Sequence, residues 1–240
     1  MKRFISFLKR PKKIKTAQQV ADQFIHSERQ FNYDNKNYIV DCLYCHASPG
    51  IIETVVNSLK RGGGEGKLLN LGGGTGQVSE VIRHLGFDVY NLDIEIDNED
   101  KFNKRHDLNT DSDLPYPDDF FDYIVCQEVI EHVKNPWHVF EKTKKHLKRG
   151  GTLIVTTPNI HSKESKEVFR KSNYFKWFTP ECHSYHINPL PFWEVELIAK
   201  RNGYSKINLT GNGEIFLSKS RSERDVLDRN EILIFTFRND

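Results

Sequence analysis

The stretch KLLNLGGGTG, Lys67–Gly76, places a short apolar run directly before a cluster of glycines. Apolar residues at helical spacing follow, and they end at Gly86: Val78, Val81, Ile82 and Leu85. The pattern predicts a strand, a loop and a helix in that order. Glycine has no Cβ atom, so such a loop lets the backbone approach a ligand closely, and the free N–H groups of the helix start favour a negatively charged group.

The glycines do not match a dinucleotide site, which requires the spacing G-x-G-x-x-G. Ser79 stands where the third glycine would pack the helix on the strand. A polar residue followed by alternating glycines fits instead: Asn70, Gly72, Gly74 and Gly76. This resembles the S-adenosylmethionine loop of class I methyltransferases, in which an Asp or Glu stands first. Since the Asn70 amide carries no charge, the implied contact with the ammonium group of the cofactor is a weaker one.

A second apolar run, residues 87–92, ends at Asp93. An acid at the tip of the next parallel strand is placed to accept hydrogen bonds from the two hydroxyls of a ribose. Two alternatives stay open here: a solvated acid beside Glu95 and Asp97, and a tight turn at the glycines that binds no ligand.

The segment FFDYIVCQEVIEHV, Phe120–Val133, makes the resemblance more specific, together with a proline-started helix and the run LKRGGTLIVTTPN. Their order is similar to that of the broad group of methyltransferases that includes the ubiquinone-biosynthesis O-methyltransferases. The similarity covers about residues 68–158 and extends loosely to Gly203. It implies S-adenosylmethionine as cofactor and four further contacts beside it: Asp107 at the adenine amino group, Leu108 against the ring, and Gln127 and Glu128 at the end of the fourth strand.

Short apolar strands alternate with helices, which predicts a parallel sheet covered on both faces. Ligands bind such sheets beyond the carboxyl ends of the strands, where the residues above fall. We expect Asn135 to cap a helix that ends at Gly150 and Gly151. The resemblance implies an α/β, Rossmann-like sheet of seven strands in the order 3-2-1-4-5-7-6, with strand 7 antiparallel.

The chain of 240 residues is 37% hydrophobic, which suffices for one large core. We predict a basic extension with cap helices over residues 1–50 and a methyltransferase domain over residues 51–240, with a substrate-side insert at about 159–190. No run of 18 apolar residues occurs, so we expect no transmembrane span and a cytoplasmic protein.

Residues 1–15 contain seven Lys or Arg and no acid, but Lys9 interrupts their apolar part, which is too short for a signal peptide. A solvated tail, peripheral contact with the anionic inner face of a membrane, and contact with a phosphate backbone stay open for this segment. The net charge of the whole chain is only +2, which disfavours a dedicated nucleic-acid binder.

Cys42, Cys45 and His46 match the haem-attachment pattern C-x-x-C-H, but no export signal accompanies them. The same cysteines also fit half of a zinc site with Cys182 and His183 or His186. We favour ordinary reduced thiols and assign no metal ligand, and whether a divalent ion assists the reaction stays open.

The segment Trp177–Trp193 gathers aromatic residues around His183 and His186. We expect it to form the acceptor side of the site, since aromatic rings exclude water and imidazoles titrate near neutrality. Asn188 is predicted to cap the next helix, with three apolar residues on one face: Leu190, Trp193 and Leu197. The alternative is a loop that only lines the core, with satisfied histidines.

Methyl transfer to oxygen or nitrogen requires a positioned acceptor and a group that removes its proton. His132, just past the fourth strand, is the first candidate for this base, with His183 and His186 next. We therefore predict a methyltransferase that acts on a small molecule or a sugar or glycan intermediate. A tRNA or other nucleic-acid methyltransferase and a catalytically silent cofactor-binding scaffold are the alternatives, and the sequence predicts no oligomeric state.

Overall fold

A computed structural model describes residues 29–33, 36–40, 50–74, 76–215 and 222–240, and the apolar runs along the chain form most of the strands of its large sheet. The strands are β1 (Arg29–Tyr33), β2 (Lys36–Val40), β3 (Lys67–Leu71), β4 (Asp88–Asp93), β5 (Asn103–Arg105), β6 (Phe121–Gln127), β7 (Leu147–Pro158), β8 (Tyr204–Gly211) and β9 (Ile232–Asn239). The helices are α1 (Ile51–Arg61), α2 (Gln77–Arg83), α3 (Pro136–His146), α4 (Lys163–Ser172), α5 (Phe192–Arg201) and α6 (Glu223–Arg229).

Seven of these strands form one sheet in the order β5-β4-β3-β6-β7-β9-β8. The strands from β5 to β7 pair in parallel, whereas β9 is antiparallel to both β7 and β8. Numbered along the chain within this sheet, the order is 3-2-1-4-5-7-6, and the Rossmann-like prediction is confirmed. The carboxyl ends of β3, β4 and β6 therefore lie at one edge.

Alternate residues of β3 serve two separate cores, because successive side chains of a strand point to opposite faces. Leu69 and Leu71 belong to the cluster that also contains Phe140 of α3 and Ile198 of α5. Leu68 belongs to the other cluster, which contains side chains of α1 and α2. Helices thus cover both faces, as predicted.

Helix α3 begins as the sequence predicts. The Asn135 side chain accepts a hydrogen bond from the N–H of Trp137, and Pro136 is the first helical residue. The predicted helix end at Gly150 and Gly151 is wrong, because the helix ends at His146 and both glycines lie within β7. Backbone carbonyls at this junction bond instead to the Asn239 side chain.

Helix α5 differs from its prediction in both cap and buried face. Pro191, not Asn188, occupies the N-cap position, and the Asn188 amide donates to the carbonyl of Val133. Trp193 and Leu197 of the predicted apolar face are exposed. The face that packs on the core consists of Val195, Ile198 and Ala199.

Cap helices are predicted within residues 1–50, of which the structure describes residues 29–33, 36–40 and Gly50, and the first two of these ranges are strands. There, β1 and β2 form an antiparallel pair, with Phe31 opposite Tyr38. Aromatic and β-branched residues, which favour strands, stand on either side of Asp34 and Asn35, two residue types that favour turns. This pattern explains why the two segments form strands. Residues 1–15, with their predicted membrane contact, and Cys42 and Cys45 lie outside the described residues.

Among the helices that the structure describes, none combines the length and apolar character needed to cross a bilayer.

Candidate cofactor and acceptor site

The glycine loop after β3 packs closely against Val129 on one side and Asn91 on the other. The Gly72 N–H donates to the carbonyl of Leu92 at 2.7 Å, and a Cβ atom at Gly72 would lie 2.3 Å from Val129. A Cβ atom at Gly73 would lie 2.0 Å from the side-chain oxygen of Asn91. At Gly74, with φ +54°, it would meet nothing within 4 Å. The loop is therefore tightly packed at Gly72 and Gly73 and has open space beside Gly74.

A chain of buried polar side chains supports this loop from below. The Asn70 amide donates to Ser79 Oγ at 3.0 Å, and Ser79 Oγ donates to Asn91 Oδ1 at 3.0 Å. The Asn91 amide then donates to the Gly74 carbonyl at 3.0 Å. Ser79 occupies the place of the missing third glycine, and it links the strands to the helix. Asn70, only 1% exposed, lies beneath the loop, and its contact with an ammonium group stays a prediction.

Asp93 ends β4 and is joined to the glycine loop. Its Oδ2 accepts from the Gly74 N–H at 2.7 Å, and its Oδ1 accepts from the Glu95 N–H at 2.9 Å. Each carboxylate oxygen can accept a further hydrogen bond, and the side chain is only half-buried. The structure thus brings two predicted cofactor-binding elements, the loop and this acid, into direct contact.

Asp107 and Leu108 follow β5, the edge strand. Asp107 Oδ1 accepts hydrogen bonds from the backbone and side-chain nitrogens of Asn109, which stabilise the turn. The Leu108 side chain is half-buried and packs against the core. Their predicted adenine contacts stay predictions.

Gln127 ends β6, and Glu128 follows it. The next residue, Val129, lies against Gly72 of the glycine loop. Gln127 Oε1 is buried and has no partner within the described protein. The Thr156 hydroxyl accepts from the Glu128 N–H at 2.9 Å and donates to Glu128 Oε1 at 2.7 Å. Burial raises the pKa of Glu128 to about 7, and the charge of Glu231 also raises it. Glu128 has φ +54°, a strained conformation that directs the chain out of the strand.

Beyond this point, Glu131, His132 and His186 converge. One nitrogen or oxygen atom from each of the three side chains lies within 4.8 Å of the other two. The centroids of the two imidazole rings are 4.7 Å apart. His132 Nε2 is 3.9 Å from Glu131 Oε1. Burial is the main cause that raises the pKa of Glu131 well above its usual range, and the charge on Glu128 raises it further. Burial lowers the pKa of His186, although its bond to a backbone carbonyl acts in the opposite direction.

His183 lies apart from this cluster and lines a neighbouring cavity. Its Nε2 donates to the carbonyl of Phe178 at 3.1 Å. The cavity has a volume of about 490 Å³ and is walled by residues of α4 and of the segment that follows it: Phe169, Asn173, Tyr174, Phe175, Phe178, His183, His186, Ile187 and Pro189. His186 belongs to both the cavity wall and the cluster. The segment that is predicted to form the acceptor side thus contributes part of the wall of this cavity, and its contact with an acceptor stays a prediction.

The sequence analysis missed the roles of Glu131 and Asn91. Glu131 stands directly before His132 and three residues after Glu128, so the spacing E-x-x-E-H was the available signal. Asn91 is a polar residue within an apolar strand, like Asn70 in the strand beside it. Such residues are buried only when they have partners, which marks them as part of a network.

Residues 46–208 match the family model described as a methyltransferase domain. The chain belongs to this methyltransferase family. The match covers the glycine loop, the end of β6 and the histidine cluster, so the whole site lies inside the family domain.

Two curated relatives align with more than half of this chain. The methyltransferase is 29% identical to an uncharacterized protein of Methanocaldococcus jannaschii, over 67% of this chain and 75% of that protein. It is 27% identical to the ubiquinone biosynthesis O-methyltransferase of Glaesserella parasuis, over 53% of this chain and 72% of that protein.

Solved structures share the fold at low sequence identity. The S-adenosylmethionine-dependent methyltransferase of Mesorhizobium loti is 17% identical, with a TM-score of 0.57, over 79% of this chain and 98% of that one. A counterpart from Archaeoglobus fulgidus is 18% identical, with a TM-score of 0.52, over 78% and 94% of the two chains.

The methyltransferase uses S-adenosylmethionine, and the residues at the sheet edge fit this cofactor. The loop is open at Gly74, Asp93 retains acceptor capacity, and the buried Gln127 Oε1 has no protein partner. When bound, the cofactor supplies a methyl carbon attached to a positively charged sulfur.

Proposed function

We propose that this methyltransferase methylates a hydroxyl oxygen on a small molecule whose sugar or aromatic ring occupies the cavity beside α4. The observation that carries the proposal is the position of His186, which lines the cavity and also contacts the His132 ring. A ring in the cavity would thereby present a hydroxyl group to the cluster of Glu131, His132 and His186.

The size and lining of the cavity support a small acceptor. Its volume of about 490 Å³ falls within the range of roughly 300–1,000 Å³ that is usual for sites of small molecules. Aromatic rings such as Tyr174 and Phe178 can pack against the faces of a sugar or phenol ring. Relatives named ubiquinone biosynthesis O-methyltransferases support oxygen as the methylated atom.

The chemistry of the cluster also supports a hydroxyl acceptor. A hydroxyl must lose its proton as its oxygen bonds to carbon, and an imidazole nitrogen is suited to accept that proton. In His132, Nδ1 faces the carbonyl of Tyr185 at 2.9 Å. A carbonyl oxygen only accepts, so Nδ1 carries the hydrogen and the lone pair lies on Nε2, as the predicted base requires.

The test is an acceptor screen with methyl-labelled S-adenosylmethionine and full-length protein. Nucleotide sugars, lipid-linked sugars, phenols and transfer RNA form separate arms, and mass spectrometry locates the added methyl group. We expect product in a sugar or phenol arm. Product only with RNA, or only on nitrogen, would overturn the proposal.

A matched pair of variants tests the cavity itself. Tyr174→Ala removes a lining ring, whereas Trp193→Ala removes a ring that is 55% exposed on α5 and does not line the cavity. We expect the KM for the acceptor to rise about 3- to 10-fold in Tyr174→Ala only. An aromatic stacking contact contributes about 0.5–1.5 kcal/mol to the free energy of binding, and this variant loses one. Equal KM values in both variants would place the acceptor elsewhere.

A further inference from the structure

We propose that Asn109 and Asn188 are positioning residues that link the cofactor site to the cavity wall through one peptide group, the C=O of Val133 with the N–H of Lys134. Asn109 Oδ1 accepts a hydrogen bond from the Lys134 N–H at 2.7 Å. The Asn188 amide donates to the Val133 carbonyl, at the other end of the same peptide group. A cofactor bound on one side would thereby restrain the cavity wall on the other.

The peptide group between Val133 and Lys134 is suited to this link because a peptide bond is planar and rigid. The C=O and N–H of a trans peptide point in opposite directions, so the two asparagine side chains bond to it from opposite sides. A shift of one partner therefore reaches the other without a rotatable bond between the two contacts. Hydrogen bonds arranged in such a chain also polarise one another.

Asn109 connects this peptide group to Asp107, the acid predicted to contact the adenine amino group. Asp107 Oδ1 accepts from the backbone N–H of Asn109 at 2.9 Å and from its side-chain amide at 3.1 Å. The Asn109 side chain thus contacts Asp107 through its nitrogen and Lys134 through its oxygen. The buried Lys142 ammonium holds this turn against α3, since it donates to the Thr110 carbonyl at 2.5 Å. An adenine bound by Asp107 would therefore restrain Asn109.

Asn188 connects the peptide group to the cavity wall. It stands between two residues that line the cavity, Ile187 and Pro189. The backbone N–H groups of Ile187 and Asn188 both donate to the Glu131 carbonyl, at 2.9 Å and 3.0 Å. With the bond from the Asn188 side chain, these contacts join residues 187 and 188 to residues 131–133. The position of residues 131–133 therefore determines where this part of the wall lies.

The link can act without a change of shape. A cofactor that restrains Asn109 removes motion from the peptide group and from the wall beyond it, so an acceptor that binds there loses less conformational entropy. The coupling is reciprocal, because a bound acceptor must strengthen cofactor binding by the same factor. The effect on an acceptor, unlike the effect on the wall itself, rests on the proposed function.

The test measures hydrogen exchange of the Ile187 and Asn188 N–H groups by nuclear magnetic resonance on full-length protein. The rates are compared without and with saturating S-adenosylhomocysteine, since exchange of a bonded N–H reports how often the local structure opens. We expect S-adenosylhomocysteine to slow exchange about 3- to 10-fold in the unmodified protein, and less than about 2-fold in Asn109→Ala and Asn188→Ala. A merely structural role would change both rates equally and leave their ratio intact.

Asn103→Ala and Asn202→Ala are the matched controls. The Asn103 amide donates to Asp100 Oδ1 at 2.9 Å, and the Asn202 amide donates to the Ile198 carbonyl at 3.0 Å. Each control loses an asparagine hydrogen bond of the same kind outside the link, so both should keep the full ratio. Calorimetry with S-adenosylhomocysteine on every variant shows that the cofactor site is folded and saturated.

A further variant, Asn109→Asp, keeps an oxygen for the Lys134 N–H and should retain more of the ratio than Asn109→Ala. Exchange that S-adenosylhomocysteine leaves unchanged in the unmodified protein would overturn the proposal, and so would a full ratio in both Asn109→Ala and Asn188→Ala. These measurements require no acceptor. An acceptor screen that yields product only with RNA would therefore reject the proposed function and leave the link intact.

Discussion

The glycine loop with its supporting side chains (the cofactor side) and the segment around the cavity, residues 163–190, which we propose binds the acceptor (the acceptor side), are held in place by different interactions. The glycine loop rests on buried amides and a hydroxyl, and the two amide side chains, Asn70 and Asn91, are each only 1% exposed. The acceptor side presents exposed rings, including Phe169 and Tyr174, on a segment attached by ion pairs and backbone bonds. One such attachment joins the Ile187 and Asn188 N–H groups to the carbonyl of Glu131.

This contrast indicates where the two halves can vary. Buried polar networks tolerate little change, since each unsatisfied group costs about 1–3 kcal/mol. An exposed aromatic wall can change residue by residue at little cost in stability. We therefore expect substitutions to be tolerated less well on the cofactor side than on the acceptor side.

The largest effect is expected where the two sides meet. His132→Ala should lower turnover by about 10²- to 10⁴-fold, because proton removal from the acceptor loses its imidazole. Affinity for S-adenosylhomocysteine, measured by calorimetry, should change little, since His132 is not part of the loop network. Wild-type turnover in this variant would remove His132 from the chemistry.

Asp93→Ala should weaken the cofactor side alone. Loss of a charge-assisted hydrogen bond of about 1.5–3 kcal/mol predicts a dissociation constant for S-adenosylhomocysteine about 10- to 100-fold higher. Glu95→Ala, which removes a neighbouring carboxylate, is the control and should bind normally. If the affinity of Asp93→Ala were unchanged, the role of Asp93 would be limited to its hydrogen bond with the Gly74 N–H, and it would not contact the cofactor.

Gly73→Ala tests the tight packing beneath the loop. Its Cβ atom would lie 2.0 Å from Asn91 and 2.4 Å from Asn70, so we expect a loss of about 1–3 kcal/mol in unfolding free energy and weaker cofactor binding. Gly86→Ala is the control, since that position has φ +100° but open space around it. This control should lose some stability and keep its cofactor affinity, as denaturant titration and calorimetry would show. Normal binding by Gly73→Ala would mean that the network yields easily.

The smallest effect is expected at the surface of the acceptor side. Lys166 of α4 pairs with Asp228 of α6 at 3.0 Å, and the lysine side chain is 55% exposed. Lys166→Ala should lower the unfolding free energy by no more than about 1 kcal/mol, and 0.5 M salt should reduce the difference further. A larger loss, measured by urea denaturation, would show that this attachment matters more than its exposure suggests.

Local patterns determined most of the fold. Gly72–Gly76 after an apolar strand, Asn135 before Pro136, and the β-branched run of β7 each act over a few residues, so their structures follow from spacing and propensity. The errors arose where distant groups decide. Helix α3 ends early because the Asn239 side chain bonds to the carbonyls that follow it, and α5 buries a different face because β8 packs against it.

The sequence by itself determined the alternation of strands and helices and the glycine loop, since these depend on periodicity and on residues that lie close together in the chain. The resemblance to class I methyltransferases implied the strand order and the methyl donor. Only the tertiary structure decided which polar groups meet: Asn70 with Ser79 and Asn91, and Glu131 and His132 with His186. The physical reason is that these contacts join the ends of different strands to a distant segment. No local pattern specifies how far apart such side chains will lie.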